Sequence, residues 1–257
     1  MTVVADSQPR IAGKMTGEHR FFLTMAIVMA LVIVAGFATN LAMGRSSFAL
    51  PLLYHVHAFI FFGWVVLYVT QNALVASGSV ALHRRLGWLA AVWAPVIAVL
   101  GIAMTFYSLS RTGGLPFFDV REFLFANILS VLTFAGLVAA AIVNRRRTDW
   151  HRRLMFCAMA FLTGPGFGRL LPGPLLIPWS YWIAAFVAPT IFPLIGIVYD
   201  FRRSGKIHPA WLWGIGAALA GFVAANLIAY SAPGTALARA VIAGSPQADR
   251  DLSAHFP

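Results

Sequence analysis

The chain is short of most of what a soluble protein carries in quantity. Of its 257 residues only 11% are charged and eight are acidic, against about 25% charged in soluble domains. A single cysteine, Cys157, sits in an apolar run. An internal disulfide, a paired-cysteine zinc site and haem attached through Cys-x-x-Cys-His are therefore excluded. No carboxylate falls in the middle of any long apolar run, which argues against proton pumps and cation-coupled carriers. The last such run, "WLWGIGAALAGFVAANLIAY", has no lysine, so a retinal Schiff base has no anchor there. GxGxxG, Walker, HExxH and GxSxG patterns are missing from any usable context. No residue carries a specific enzymatic signature, and whether the protein is an enzyme is left open by its sequence.

What the chain has is apolar length. Hydrophobic residues make up 60% of it and the mean hydropathy is +0.80. Seven runs, at 21–43, 51–76, 87–108, 122–143, 153–171, 177–199 and 210–231, each approach the roughly 20 residues that cross a bilayer core. A transmembrane β-barrel would show short alternating segments instead. The fold expected is all-α, a polytopic bundle of about seven transmembrane helices. The first 20 residues are read as a mobile N-terminus, 21–231 as the membrane domain, and 232–257 as a polar tail in which "TALARAVIAG" can form a surface helix.

The net charge of +11 is distributed as topology signals rather than as a nucleic-acid surface. Thirteen Lys and Arg fall in the N-terminal segment, at "HRR", in "NRRRTDWHRR" and in "DFRRSGK", against six in the alternate segments. The positive-inside rule then puts the N-terminus in and the C-terminus out. The location expected is the bacterial inner membrane, multi-pass, with the lipid bilayer and other membrane subunits as partners and no nucleic acid.

Two groups of residues stand out as candidates for binding. The first is the run "LLYHVHAFIFFGWVVLYVTQ". His55 and His57 lie about 200° apart on a helix, so they do not share one small ligand. His57 lines up with Phe61, Trp64, Tyr68 and Gln71, a polar stripe about 21 Å long. Such a face suits a cofactor, quinone, proton-relay or metal role, and equally an aromatic belt with a satisfied interhelical hydrogen bond.

The second is His83 with His151. "LHRRL" at 82–86 recurs as "WHRRL" at 150–154, a likeness that either internal duplication or two independent basic turns would produce. Both histidines open a span at matched depth. On diagonal helices of a bundle they have the geometry of bis-His haem b ligation, with the arginines placed for propionates or an anionic headgroup. The alternative is that His-Arg-Arg is simply basic sequence at a helix start. Elsewhere, Asp200 is expected to pair with the arginines beside it, His208 to lie in a loop, and Arg169 to snorkel outward or pair with Asp119 or Glu122.

The segments "HVHAFIFFGWVVLYVTQNALVASGSVALHRRLGW", "DWHRRLM" and "DFRRSGKIHPA" resemble a group of uncharacterised bacterial inner-membrane proteins known as a domain of unknown function. The likeness covers about residues 50–230. It implies a multi-pass membrane protein and no activity. The histidine layout is more loosely similar to membrane b-type cytochromes and haem-handling assembly proteins, which implies at most one haem here, because no histidine elsewhere matches the depth of His55 and His57. The function expected is haem-binding or redox-associated, with His83 and His151 as metal ligands and His57 as a further cofactor residue. The alternatives are a small-molecule or lipid transporter or sensor, and a non-catalytic assembly partner of a membrane complex.

Overall fold

A computed structural model describes residues 17–115 and 117–254. It is all-α, 80% helical and, among the described residues, without strands. Six helices are long and apolar enough to cross a membrane, as in a multi-pass membrane protein. They are α1 (Gly17–Ala42), α2 (Leu52–Ala76), α3 (Val80–Thr112), α4 (Val120–Val143), α7 (Ser180–Ser204) and α8 (Pro209–Ala229). The described residues also form three shorter α-helices, α5 (Thr148–Phe161), α6 (Gly164–Leu170) and α9 (Ala232–Ile242), and a 3-10 helix at Gly173–Leu176.

The fifth apolar run is the one that is not a single helix. Pro165 has no N–H, and its ring clashes with the carbonyl four residues back, that of Phe161. That residue is the last of α5. The chain turns through Leu162 and Thr163 and restarts as α6. In α7, Pro189 stands four residues after Ala185, inside a widened turn at Ile183–Val187, where the local hydrogen-bond register slips to accommodate the missing donor.

Helix boundaries follow local capping chemistry. The Asp119 carboxylate accepts from the main-chain N–H of Arg121 at 2.8 Å and of Glu122 at 3.3 Å, which starts α4. His208 lies in the loop before α8, as expected, and caps that helix: its Nδ1 accepts from Ala210 N at 3.2 Å, and Pro209 occupies the first turn. Gly113, at φ 74°, ends α3 in the left-handed conformation.

α4 is central: it packs on α3, α5 and α8, while α1 packs on α2 and α6. The α1–α6 crossing depends on glycines, since a Cβ on Gly36 would come within 2.8 Å of Gly166 Cα. Residues 1–16 lie outside the described residues, but Gly17–Arg20 already form the first turn of α1. The tail folds back as α9 and buries Ala238, Ile242 and Leu252. Val120 N donates to Leu252 O at 2.8 Å, and the Arg250 guanidinium donates to the carbonyls of Gly113, Leu115 and Phe118.

The starts of α1, α3, α5 and α8 gather with the ends of α2, α4 and α7 at one end of the bundle, which also carries the basic clusters. There Glu18 bonds Arg152 and Arg203, both at 2.6 Å. Asp200 does not pair with its sequence neighbours. It accepts from Arg153 on α5 at 2.8 and 2.7 Å and from Trp211 Nε1 on α8 at 2.7 Å. Helical geometry explains the correction: Asp200 points into the bundle, while Arg202 and Arg203 are on the exposed side.

Candidate functional site

A cavity of about 920 Å³ opens at this basic end, between α2, α3 and the junction of α4 with α5. Its walls are mainly apolar, with Trp64, Leu67 and Tyr68 from α2, Ala90 and Ala91 from α3, Ile142 from α4 and Met155 from α5. Its rim carries Arg84, Arg145, Arg146 and Arg152. An apolar interior with a few converging polar groups is the usual make-up of a ligand site.

His83 and His151 both line this cavity. They come from separate helices, α3 and α5, which meet across α4. Their ring centres are 6.3 Å apart and their planes are inclined at 80°. His151 Nδ1 donates to the main-chain carbonyl of Ala141 at 2.9 Å, which puts the lone pair of the neutral ring on Nε2.

Gln71 reaches His83 from α2. Its amide nitrogen donates to His83 Nδ1 at 2.7 Å and to the His83 carbonyl at 3.2 Å, and its oxygen accepts from Gly87 N–H at 3.0 Å. The amide therefore bridges one turn of α3 and holds the His83 ring in place. Deeper in the cavity, the indole N–H of Trp64 is buried with no hydrogen-bond partner, and its ring meets Phe134 edge-on. At the rim, Arg152 leaves its Nε unpaired while its terminal nitrogen bonds Glu18 and Asp149.

The sequence candidates thus divide. His83, His151, Trp64, Tyr68 and Gln71 share one cavity. His57, the head of the expected stripe, does not line it; its ring lies over Phe61 at 4.2 Å. His55 is exposed, and its Nε2 lies 3.1 Å from Leu50 O. Arg169 pairs with neither Asp119 nor Glu122: it donates to Pro165 O at 2.8 Å and lies over the Phe37 ring at 4.0 Å. Asp119 is taken by Arg121 at 2.6 Å, and Glu122 accepts from Tyr230 at 3.2 Å. Ala141 and Trp64's orphan donor were invisible to sequence reading, because neither a main-chain carbonyl nor an unpaired indole has a motif.

The donor set bears on which cofactor these residues suit. Among the described residues no cluster of three or more His, Cys, Asp or Glu is placed to hold a metal ion, so a bare ion would find two imidazoles and little else. A porphyrin brings four nitrogens and asks the protein for only the two axial positions. Two imidazoles on opposite sides of one metal, with bonds of about 2.0 Å and ring centres roughly 1.1 Å beyond each nitrogen, have centres roughly 6.2 Å apart. The observed separation matches that spacing. The apolar walls suit a macrocycle and the arginine rim suits its carboxylates.

Comparison with protein-family models, curated proteins and solved structures finds no match.

Proposed function

We propose that the chain is a seven-span protein of the bacterial inner membrane that holds one b-type haem between His83 and His151. Counting α5 with α6 as one broken crossing adds a seventh span to the six long helices. The Glu18–Arg152 and Glu18–Arg203 ion pairs tie the starts of α1 and α5 to the end of α7, which supports a shared cytoplasmic end for the basic clusters and an outer C-terminus.

The observation that carries the haem reading is the 6.3 Å separation of the two imidazoles, inside a cavity with apolar walls and an arginine rim. His151 is oriented by Ala141 and presents Nε2. The arginines offer charge to two carboxylates, and Trp64, Leu67 and Ala90 keep water from the buried side. The haem, when bound, supplies one-electron chemistry. Protein purified from haem-replete cells is expected to show a b-type α-band in a reduced-minus-oxidised spectrum, lost or strongly altered in His83→Ala and His151→Ala. A wild-type spectrum with no α-band refutes the proposal.

The same arginine rim over apolar walls supports a second reading, a site for an anionic amphiphile in a lipid transporter or sensor. Native mass spectrometry separates the two. A co-purifying phospholipid or fatty acid without haem, weakened by Arg145→Ala with Arg146→Ala, favours the second.

A further inference from the structure

We infer that the two imidazoles are unequal ligands: His151 is the fixed one, and His83 is an exchangeable one that Gln71 holds back, leaving its side open to a small diatomic ligand. The inference rests on the haem reading and assigns a ligand class to the same site.

Proton positions follow from partners. A carbonyl oxygen only accepts, so the 2.9 Å contact to Ala141 O puts the His151 proton on Nδ1 and the lone pair on Nε2. That is the tautomer a metal needs, and a main-chain carbonyl behind the ring is the usual way proteins set it.

His83 is set the other way. The Gln71 amide touches three groups: His83 Nδ1, the His83 carbonyl and the Gly87 N–H. The last two set its orientation, because an amide oxygen against a carbonyl, or an amide nitrogen against an N–H, is repulsive. The amide nitrogen therefore faces His83, and Nδ1 receives a hydrogen bond rather than giving one. A neutral imidazole that accepts at Nδ1 carries its proton on Nε2, and a protonated nitrogen cannot coordinate.

For His83 to ligate through Nε2, its proton must move to Nδ1 and the Gln71 amide must turn over. Its oxygen would then face the His83 carbonyl, and its nitrogen would face the Gly87 N–H. Both contacts become repulsive. Ligation by His83 is thus opposed by its own surroundings, whereas ligation by His151 is favoured. A ligand that needs no proton rearrangement competes well for the His83 side, and a diatomic such as carbon monoxide is the smallest of this class. His83 also sits only one turn from the start of α3, where Ser79 makes no side-chain cap, so the ring can swing aside with little helix to disrupt.

Two measurements test this. In haem-free protein, ¹⁵N NMR of the histidine side chains should show His83 protonated on Nε2 and His151 on Nδ1. In dithionite-reduced, haem-loaded protein, carbon monoxide should shift the Soret and α bands. Gln71→Glu supplies an acceptor for Nδ1–H and should weaken carbon monoxide binding at least tenfold. His83→Ala should bind it at least as tightly as wild type, while His151→Ala should lose haem. Wild-type protein without an α-band refutes the haem reading itself. Haem-loaded protein inert to carbon monoxide, an Nδ1-protonated His83, or unchanged affinity in Gln71→Glu overturns the assignment of His83 alone.

Discussion

Removing the Asp200 carboxylate should be among the most damaging single changes outside the cavity. Asp200 is 4% exposed and Arg153 is 6% exposed. Their two bonds, at 2.8 and 2.7 Å, form a bidentate fork, and the Trp211 N–H adds a third bond to the same carboxylate at 2.7 Å. Asp200→Ala leaves a buried guanidinium whose nearest other carboxylate oxygen, on Glu18, is 3.7 Å away, and it orphans a fully buried indole N–H. Breaking one side of such a pair costs about 3–5 kcal/mol, which in a chain of this size corresponds to a fall in melting temperature of roughly 6–20 °C. Trp211→Phe removes one hydrogen bond to a charged acceptor and should cost about 1.5–3 kcal/mol. The double variant Arg153→Met, Asp200→Leu removes both charges and should recover much of the single-variant loss. Thermal unfolding followed by size-exclusion chromatography in detergent measures all three. If Asp200→Ala melts within about 2 °C of wild type, or if the double variant is no better than the single, the fork is not what ties α5, α7 and α8 together.

Two further outcomes follow from packing and from burial. Gly36→Ala should separate α1 from α6, since the new methyl would press on the Gly166 backbone; overpacking of this kind costs about 1–3 kcal/mol, and a melting temperature equal to wild type would show that the crossing yields freely. Burial, with the Arg153 charge adding to it, lowers the imidazole of His208 from its ordinary 6.5, so on acidification the unfolded chain takes up a proton there before the folded one does. Its contribution is complete above that value and is lost as pH falls below it. Haem-free protein should therefore melt lower at pH 5.5 than at pH 7.5, with a smaller difference in His208→Gln, and a wild-type melting point that does not change over that interval contradicts the assignment.

Much of the fold was readable because bilayer thickness and helical rise convert apolar length directly into spans. Six of the seven expected runs appear as long helices at close to their expected positions. The fifth differs because one residue, Pro165, stops α5 at Phe161, and hydropathy averaged over a window does not register a single missing donor. In the tail, the short helix read in "TALARAVIAG" overlaps α9, but the burial of Ile242 and Leu252 comes from packing on distant residues, which no local pattern encodes.

The site was partly readable. Matched depth in two His-Arg-Arg-Leu segments was enough to single out His83 and His151, and helical periodicity was enough to put Trp64, Tyr68 and Gln71 on one face. Composition alone determined the all-α, membrane-like character, because it depends on how many apolar residues follow one another. Tertiary structure alone decided that the stripe meets the histidine pair at its Gln71 end and leaves His57 behind. It also decided that Arg153, rather than a neighbouring arginine, answers Asp200, and that Ala141 reaches the ring of His151 while Gln71 reaches that of His83. These are properties of distance and direction between separate helices, and residues far apart in the chain acquire them only when α4 brings α3 and α5 together.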